Sequence, residues 1–169
     1  MKTLSIDTSS NICSLAILDD SKIIYEDYIA DKLTHSENLM PMIKKAFDNL
    51  QINLADIDLF ACSKGPGSFT GIRIGVSSCK AFSDSLNIPC VGISSLEVLA
   101  YNIQNDGIIC STIDCKNNNC YFALYELNSG NYNVLIEPCA KSVNDVLDLL
   151  NSQYYNKCIS FVGDGIPSE

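Results

Sequence analysis

Over the first thirty residues, short apolar runs alternate with turn clusters. Residues 3–6 form a brief apolar stretch that stops at Asp7-Thr8-Ser9-Ser10-Asn11. Residues 12–18 resume with strand character, Asp19-Asp20-Ser21 makes a second turn, and residues 22–29 predict a third strand. Three short strands joined by turns predict an antiparallel meander. The period then changes. Thr34-His35-Ser36-Glu37 matches a capping box, with Thr as cap and Glu three residues on. Leu39, Ile43, Ala46, Phe47 and Leu50 follow at helical spacing, while Met40 and Met42 lie off that stripe. Pro41 removes one helical hydrogen bond at a cost of about 3 kcal/mol, so a kinked or loosened first turn is expected.

Residues 57–62 read as an apolar strand feeding the glycine-rich turn Lys64-Gly65-Pro66-Gly67-Ser68, which opens a helix running to about Leu86. A strand over 88–93 and a short helix over 96–101 come next. The polar stretch 102–107 is the expected lobe boundary, giving lobes of 1–104 and 105–169. The second lobe begins with strands over 108–114, 120–127 and 132–137. A helix over 143–150 capped by Ser142 follows, then a strand over 159–162 that ends at Gly163-Asp164-Gly165. Each lobe places an Asp at the end of its first strand, Asp7 in one and Asp114 in the other.

Composition narrows the function classes. Of the 169 residues, 47% are hydrophobic and 18% charged, which fits a globular chain with a real core. Eleven basic residues stand against twenty acidic ones, for a net charge of −9, and Arg73 is the sole arginine. Nucleic-acid binding calls for clustered basic surface, so this chain alone should repel RNA. Asp7 interrupts the first apolar run before a signal-peptide core forms, and no stretch approaches 18 apolar residues; a cytoplasmic protein without a membrane span is expected. The nine cysteines include no C-x-x-C pair, although Cys110, Cys115 and Cys120 recur at a fixed interval. With a single histidine they do not make an obvious zinc site, and buried thiols in a reducing compartment are the favoured reading.

Two strings carry candidate chemistry. The Asp7-Thr8-Ser9-Ser10 turn offers hydroxyls and amides that converge on an anion, but it lacks the glycine that close backbone approach prefers. The segment from Lys64 to Gly75 opens a helix with glycines, a possible anion site in principle. It fails both the Walker and the dinucleotide spacing. Gly71 and Gly75 lie one turn apart and clear a helix face for close packing, against this chain's own sheet or another subunit; spacing leaves that open. One histidine gives no H-x-x-x-H metal pair and no compelling Ser-His-Asp or Cys-His arrangement. His35 at a helix start favours an exposed or capping role, and Glu97 favours a helix-dipole role over that of a general base.

Taken together, the strings resemble the TsaB (YeaZ) family of tRNA threonylcarbamoyladenosine biosynthesis proteins. The resemblance rests on residues 5–10, on His35-Ser36-Glu37-Asn38-Leu39-Met40-Pro41-Met42-Ile43, and on Gly65-Pro66-Gly67-Ser68-Phe69-Thr70-Gly71-Ile72-Arg73-Ile74-Gly75. Residues 88–97 extend it. The Gly-Pro-Gly-Ser-Phe-Thr-Gly string is highly specific. Beyond 107 the likeness is looser, resting on Asp114, 121–125 and 162–165.

The resemblance implies an α/β fold of two actin/Hsp70/sugar-kinase-like (ribonuclease-H-like) lobes with mixed sheets flanked by helices. It implies a non-catalytic scaffold that pairs with TsaD, a paralogous enzyme that transfers threonylcarbamoyl to adenosine 37 of tRNA, with TsaE joining as an ATPase. TsaD carries an H-x-x-x-H metal pair in a segment similar to 92–100; its histidines fall here on Ser95 and Leu99, so no metal ligand pair is implied. The implied partner surface comprises His35, Leu39, Met40, Ile43, Phe47, Gly71, Ile72 and Gly75. Asp7, Thr8, Ser9 and Asp114 would be a vestigial nucleotide site. ATP, ADP or Mg would enter only through partners, and tRNA only through the complex. A homodimer using the same helices is compatible. The alternative is an ATP-dependent phosphotransferase or ATPase built on Asp7, Thr8 and Asp114. Members of the family continue past a Gly-Asp-Gly-like segment, so an incomplete second lobe is expected.

Overall fold

A computed structural model describes residues 1–30 and 34–166. The chain divides into two compact units, Met1–Ile93 and Ser94–Glu169.

The first unit opens with β1 (Lys2–Asp7), β2 (Cys13–Asp19) and β3 (Lys22–Ile29), paired antiparallel in sequence as the turn clusters predict. α1 (His35–Leu50) leads to a single 3-10 turn at Leu54–Asp56, then to β4 (Leu59–Ser63), α2 (Phe69–Leu86) and β5 (Cys90–Ile93). β4 and β5 run parallel to β1, giving the sheet order β3-β2-β1-β4-β5. Alternation in β1 and β2 sends Leu4, Ile6, Cys13, Leu15 and Ile17 to one face, where they meet Leu39, Met42, Ile43 and Ala46 of α1 in a single core. Met42 is thus a core residue, and only Met40 of the two off-stripe methionines stays exposed. α1 remains helical from its first residue through Pro41, without the expected loosening. Its start is held by the Glu37 carboxylate, which accepts from the Thr34 backbone N–H at 2.9 Å and the Thr34 hydroxyl at 2.7 Å. β4 begins two residues later than the apolar run suggests. Asp56 accepts from the Asn53 amide at 2.7 Å, and this cap winds 54–56 into the 3-10 turn.

The second unit holds α3 (Ser95–Ala100), β6 (Gly107–Asp114), β7 (Asn119–Asn128), β8 (Asn131–Ser142), α4 (Val143–Gln153) and β9 (Ile159–Gly163). The sequence places a lobe boundary at 104–105; the contacts group α3 with the second sheet, because Leu96 and Ala100 are buried among Ile109, Ala123, Tyr125 and Leu127. The sheet order is β8-β7-β6-β9, with β6-β7 and β7-β8 antiparallel and β6-β9 parallel. Strand for strand this repeats β3-β2-β1-β4, and α4 stands where α1 stands, between the third and fourth strands. That repeated meander-plus-crossover is the ribonuclease-H-like unit, and its duplication is the actin/Hsp70-like α/β architecture. α4 seals one face of the second sheet with Val143, Val146 and Leu150 against Cys110, Cys120, Phe122 and Leu124. β8 runs well beyond the predicted 132–137 and through Pro138. It is an edge strand whose register shifts leave Pro138 without a ladder partner, the setting in which a strand tolerates proline.

The cysteines are free thiols. Cys13, Cys62, Cys79, Cys110 and Cys120 are buried and pack as small apolar residues. Burial pushes the Cys110 thiol up to about 12, which keeps it protonated and unreactive at neutral pH.

Candidate functional site: a closed turn beneath two helices

The Asp7–Ser10 turn leaves the end of β1, the central strand of the first sheet. The Asp7 carboxylate accepts the Ser9 backbone N–H at 2.7 Å, an Asx turn that fixes the loop locally. Thr8 and Ser9 are buried. The Thr8 hydroxyl donates to the Gly71 carbonyl of α2 at 2.7 Å, and the Ser9 carbonyl accepts the Ser68 backbone N–H at 2.7 Å. At the start of α1, His35 Nε2 donates to the Ser10 carbonyl at 2.8 Å, which sets the Nε2–H tautomer. Ser68 caps α2 by accepting the Gly71 N–H at 3.2 Å. The turn is therefore gripped from both sides, by His35 and by Ser68 and Gly71.

The glycines explain how α2 comes so close. A Cβ at Gly71 would fall inside contact with the Thr8 carbonyl oxygen, with His35 Cδ2 3.1 Å away. A Cβ at Gly75 would stand 2.5 Å from the Thr8 hydroxyl oxygen. A Cβ at Gly67 would collide with the Ser9 carbonyl, and its φ of +152° lies at the border of glycine's region. Ile72, one residue past Gly71, lies beneath the Gly65 turn.

This geometry revises the expected partner surface. Leu39, Ile43, Gly71 and Gly75 are buried within the first unit, and Phe47 is half-buried against the same core. The small-residue face meets this chain's own β1–β2 turn, a destination that spacing left open. Of the eight residues expected at a partner surface, Met40 is exposed, His35 and Ile72 are half-buried, and His35 is spent on the Ser10 carbonyl. The residue that sequence reasoning passed over is Phe69. It opens α2 at 74% exposure with the Arg73 guanidinium 5.3 Å from its ring centroid. An aromatic side chain between a serine cap and a glycine-lined helix face was the available signal.

Asp114 repeats the Asp7 arrangement in its own unit. It ends β6, and its carboxylate accepts the Lys116 backbone N–H two residues on at 2.9 Å. The Lys116 ammonium lies 2.9 Å from the other carboxylate oxygen and, with that backbone bond, holds the Asp114 carboxyl below the usual carboxylate range. The Asp114 amide donates to Asp164 at 3.0 Å, and Gly163 approaches the Thr112 carbonyl too closely for any Cβ. Ser95 is buried in the first turn of α3, and Leu99 packs toward Gly163. Among the described residues, no group of three or more His, Cys, Asp or Glu side chains is arranged to hold a metal ion, and no helix is long and apolar enough to cross a membrane.

Comparison with known proteins gives this geometry its context. A family model described as "TsaD: tRNA N6-adenosine threonylcarbamoyltransferase" matches residues 29–166. A Bacillus subtilis protein named tRNA threonylcarbamoyladenosine biosynthesis protein TsaB is 32% identical over 164 residues, 96% of this chain and 71% of that protein. The protein of the same name from Buchnera aphidicola subsp. Schizaphis graminum is 46% identical over 97 residues, 57% of this chain and 46% of that one. The chain thus spans from under half to about seven tenths of the length of these curated relatives. Among solved structures, YeaZ from Pseudomonas aeruginosa superposes with a TM-score of 0.74 at 28% identity, covering 84% of this chain and 69% of that one. With a match this long to the family model and to the Bacillus relative, the chain belongs to the TsaB family.

Proposed function

We propose that this chain is a non-catalytic subunit in tRNA threonylcarbamoyladenosine biosynthesis, the process named for its relatives, and that it works by pairing with a TsaD-type transferase. The observation that carries the reading is the closed turn. A phosphate-binding turn needs free, convergent N–H and O–H donors. Here the Thr8 hydroxyl, the Ser9 amide and the Ser68 amide are all committed inside the chain. An incoming phosphate would have to displace these bonds and lift α2 off Thr8. The same bonds fix the starts of α1 and α2, which supports a surface made by the outer sides of these helices, with Phe69, Arg73, Met40 and Ile72 as its anchors. Aromatic, arginine and methionine side chains are those enriched at protein interfaces.

On this reading the subunit acts in the cytoplasm, TsaE joins the pair, and nucleotide and Mg belong to the partners. tRNA is reached only through the complex, because the −9 charge of this chain opposes direct contact. A homodimer through the same helices is the resting state, dissolving when TsaD is added.

The test is reconstitution. Threonylcarbamoyl-adenosine formation is measured with TsaD, TsaE, the threonylcarbamoyl donor system and tRNA, with and without this chain, alongside co-purification with TsaD. Loss of product and recovery of a complex at micromolar concentration are expected. Unchanged product without the chain, or no complex at that concentration, would overturn the proposal. The paired Asx turns at Asp7 and Asp114 favour a second reading, an ATP-dependent phosphotransferase or ATPase. It predicts steady ATP turnover by the purified chain that Asp7→Ala abolishes, whereas the subunit reading predicts none.

A further inference from the structure

α2 packs on the face of the first sheet that carries Ile6 and Phe60, and three of its residues show which strand positions it covers. Gly75, Cys79 and Phe82 follow one another by four and three residues and so share one side of the helix. A Cβ at Gly75 would stand 3.7 Å from Ile6 Cγ2, and the Phe82 ring centroid lies 5.5 Å from that of Phe60. Ile6 is the β1 partner of Cys62, and Phe60 precedes Cys62 by two positions on the same face of β4. Cys79, between Gly75 and Phe82, is therefore set over the stretch of β4 that runs from Phe60 to Cys62. Its thiol donates to the carbonyl of Ala61, the residue before Cys62, at 3.5 Å. It is also the hydrogen-bond partner of the Cys62 sulfur. Both thiols belong to one core; Cys79 is wholly buried, while Cys62 keeps 8% of its surface exposed.

The two thiols differ in character. The bond from Cys79 moves the Cys62 thiol down from its ordinary range, against burial and the negative charge of Asp7. Cys79 is pushed up, first by that same bond and then by burial. Cys110 and Cys120, by contrast, are pushed up chiefly by burial. Cys62 is thus the thiol whose proton leaves first, and Cys79 stays protonated beside it. An accessible thiolate backed by a second thiol is the pattern of a reversible oxidation site. Cys90, exposed on β5 opposite Phe60, acts on Cys79 only as the last of the charges that raise it.

We propose that Cys62 and Cys79 form a peroxide-sensitive modification site, oxidised to a disulfide that staples α2 to β4. The Cys62 thiolate attacks one peroxide oxygen; the S–O bond forms as the O–O bond breaks, and the hydroxide that leaves takes up the proton Cys62 released. The Cys79 sulfur then attacks the sulfenic sulfur. The S–S bond forms, the S–O bond breaks, and the hydroxyl departs as water with the Cys79 proton. Two thiols and one hydrogen peroxide become one disulfide and two waters. A small neutral peroxide suits a thiol with so little exposed surface, whereas glutathione disulfide is bulky and anionic and meets the charge of Asp7. The loop closed by the bond, 62–79, contains the glycine-rich turn and the first part of α2. Oxidation therefore fixes covalently a helix that Ser68 and Gly71 hold by hydrogen bonds. The site lies within the first unit and does not rest on pairing with TsaD.

The test exposes the reduced full chain to hydrogen peroxide, alkylates the remaining thiols in denaturant and digests the product without reductant for mass spectrometry. A reducible peptide pair joining Cys62 to Cys79 is expected, formed at least roughly tenfold faster than free Cys110 is lost. Glutathione disulfide at equal concentration should form the link at least roughly tenfold more slowly than peroxide. Cys79→Ala should leave a sulfenic acid at Cys62 that dimedone traps, and Cys62→Ala should leave Cys79 unlabelled. The wild-type map decides by itself should either variant fail to fold. Oxidation confined to the exposed Cys90 and Cys158, a link from Cys79 to Cys90, loss of Cys62 and Cys110 at equal rates, or faster linking by glutathione disulfide would each overturn the proposal.

Discussion

Replacing Gly71 by alanine separates two kinds of obstruction around one turn. A Cβ at this position would lie inside contact with the Thr8 backbone carbonyl, with His35 Cδ2 3.1 Å away. Carbon and oxygen sit comfortably at roughly 3.5 Å, so α2 or the turn must move by more than about an ångström. Neither can yield alone, because the Thr8 hydroxyl bonds Gly71 and the Ser68 amide bonds Ser9. Overpacking of this kind costs about 1–3 kcal/mol, and a backbone obstacle places it at the upper end, near 3. Gly75→Ala meets the Thr8 hydroxyl oxygen at 2.5 Å instead, an atom that can rotate away at the loss of its hydrogen bond, about 1 kcal/mol. Urea unfolding followed by far-UV circular dichroism reads the difference. With a slope near 2 kcal/mol per molar, the midpoint should fall by roughly 1.5 M for Gly71→Ala and 0.5 M for Gly75→Ala. The decisive comparison uses a Thr8→Ala background, which removes the hydroxyl but keeps the carbonyl. There Gly75→Ala becomes nearly neutral while Gly71→Ala keeps its full cost. Equal rescue of the two, or a Gly71→Ala midpoint that does not move, would refute the account of how α2 docks on the turn.

Three further outcomes follow from local chemistry. The Lys45 ammonium, 2.7 Å away, holds the Asp27 carboxyl below the ordinary carboxylate range. That contribution is complete above the ordinary value and fades as pH falls through the lowered one, so Lys45→Met should flatten the acid side of a stability-versus-pH curve below about pH 4. The Tyr125 phenol, raised to about 12 chiefly by burial, keeps its proton while the unfolded chain loses it. Stability should therefore decline between about pH 10 and 12 by up to roughly 2 kcal/mol more in the wild type than in Tyr125→Phe, measured by urea midpoints. Ser142 caps α4 by accepting the Asp145 N–H at 3.1 Å, and Ser142→Ala should cost about 1 kcal/mol, with faster amide exchange confined to the first turn of that helix.

Local signals in the sequence translated well where one rule governed one element. The strand–turn–strand opening, the Thr34–Glu37 box and the Ser142 cap all appear where alternation and capping chemistry place them. β8 escaped because Pro138 reads as a terminator, and only an edge position with shifted register makes it harmless. The site was half legible. Small residues at 71 and 75 announce a close approach but not its target, since spacing along a helix carries no information about what lies across from it. Leu39 and Ile43 lie on the helical stripe, yet the resemblance assigns them to a partner face; in the fold that stripe, and Met42 beside it, serves the chain's own core. Phe69 shows the reverse error, an exposed ring hidden inside a string that reads as structural.

The two units settle the same local problem in different surroundings, and the contrast bears on function. Both end their first strand with an Asp whose carboxylate takes the amide two residues on. At Asp114 the residue two positions on is the exposed Lys116, which pairs with the carboxylate in solvent. At Asp7 the following residues are buried, and helix starts close on them from two directions. On the proposed reading, closing that turn removes an anion site, because its donors are used. It also ties His35, the first residue of α1, and Ser68, the cap of α2, to one loop at the end of the central strand. A partner that binds the outer sides of those helices then meets a surface whose ordering cost was met during folding, the condition under which a modest interface becomes a firm one. On the proposed reading, the loss of nucleotide chemistry and the gain of a docking platform are therefore one structural change seen from its two sides.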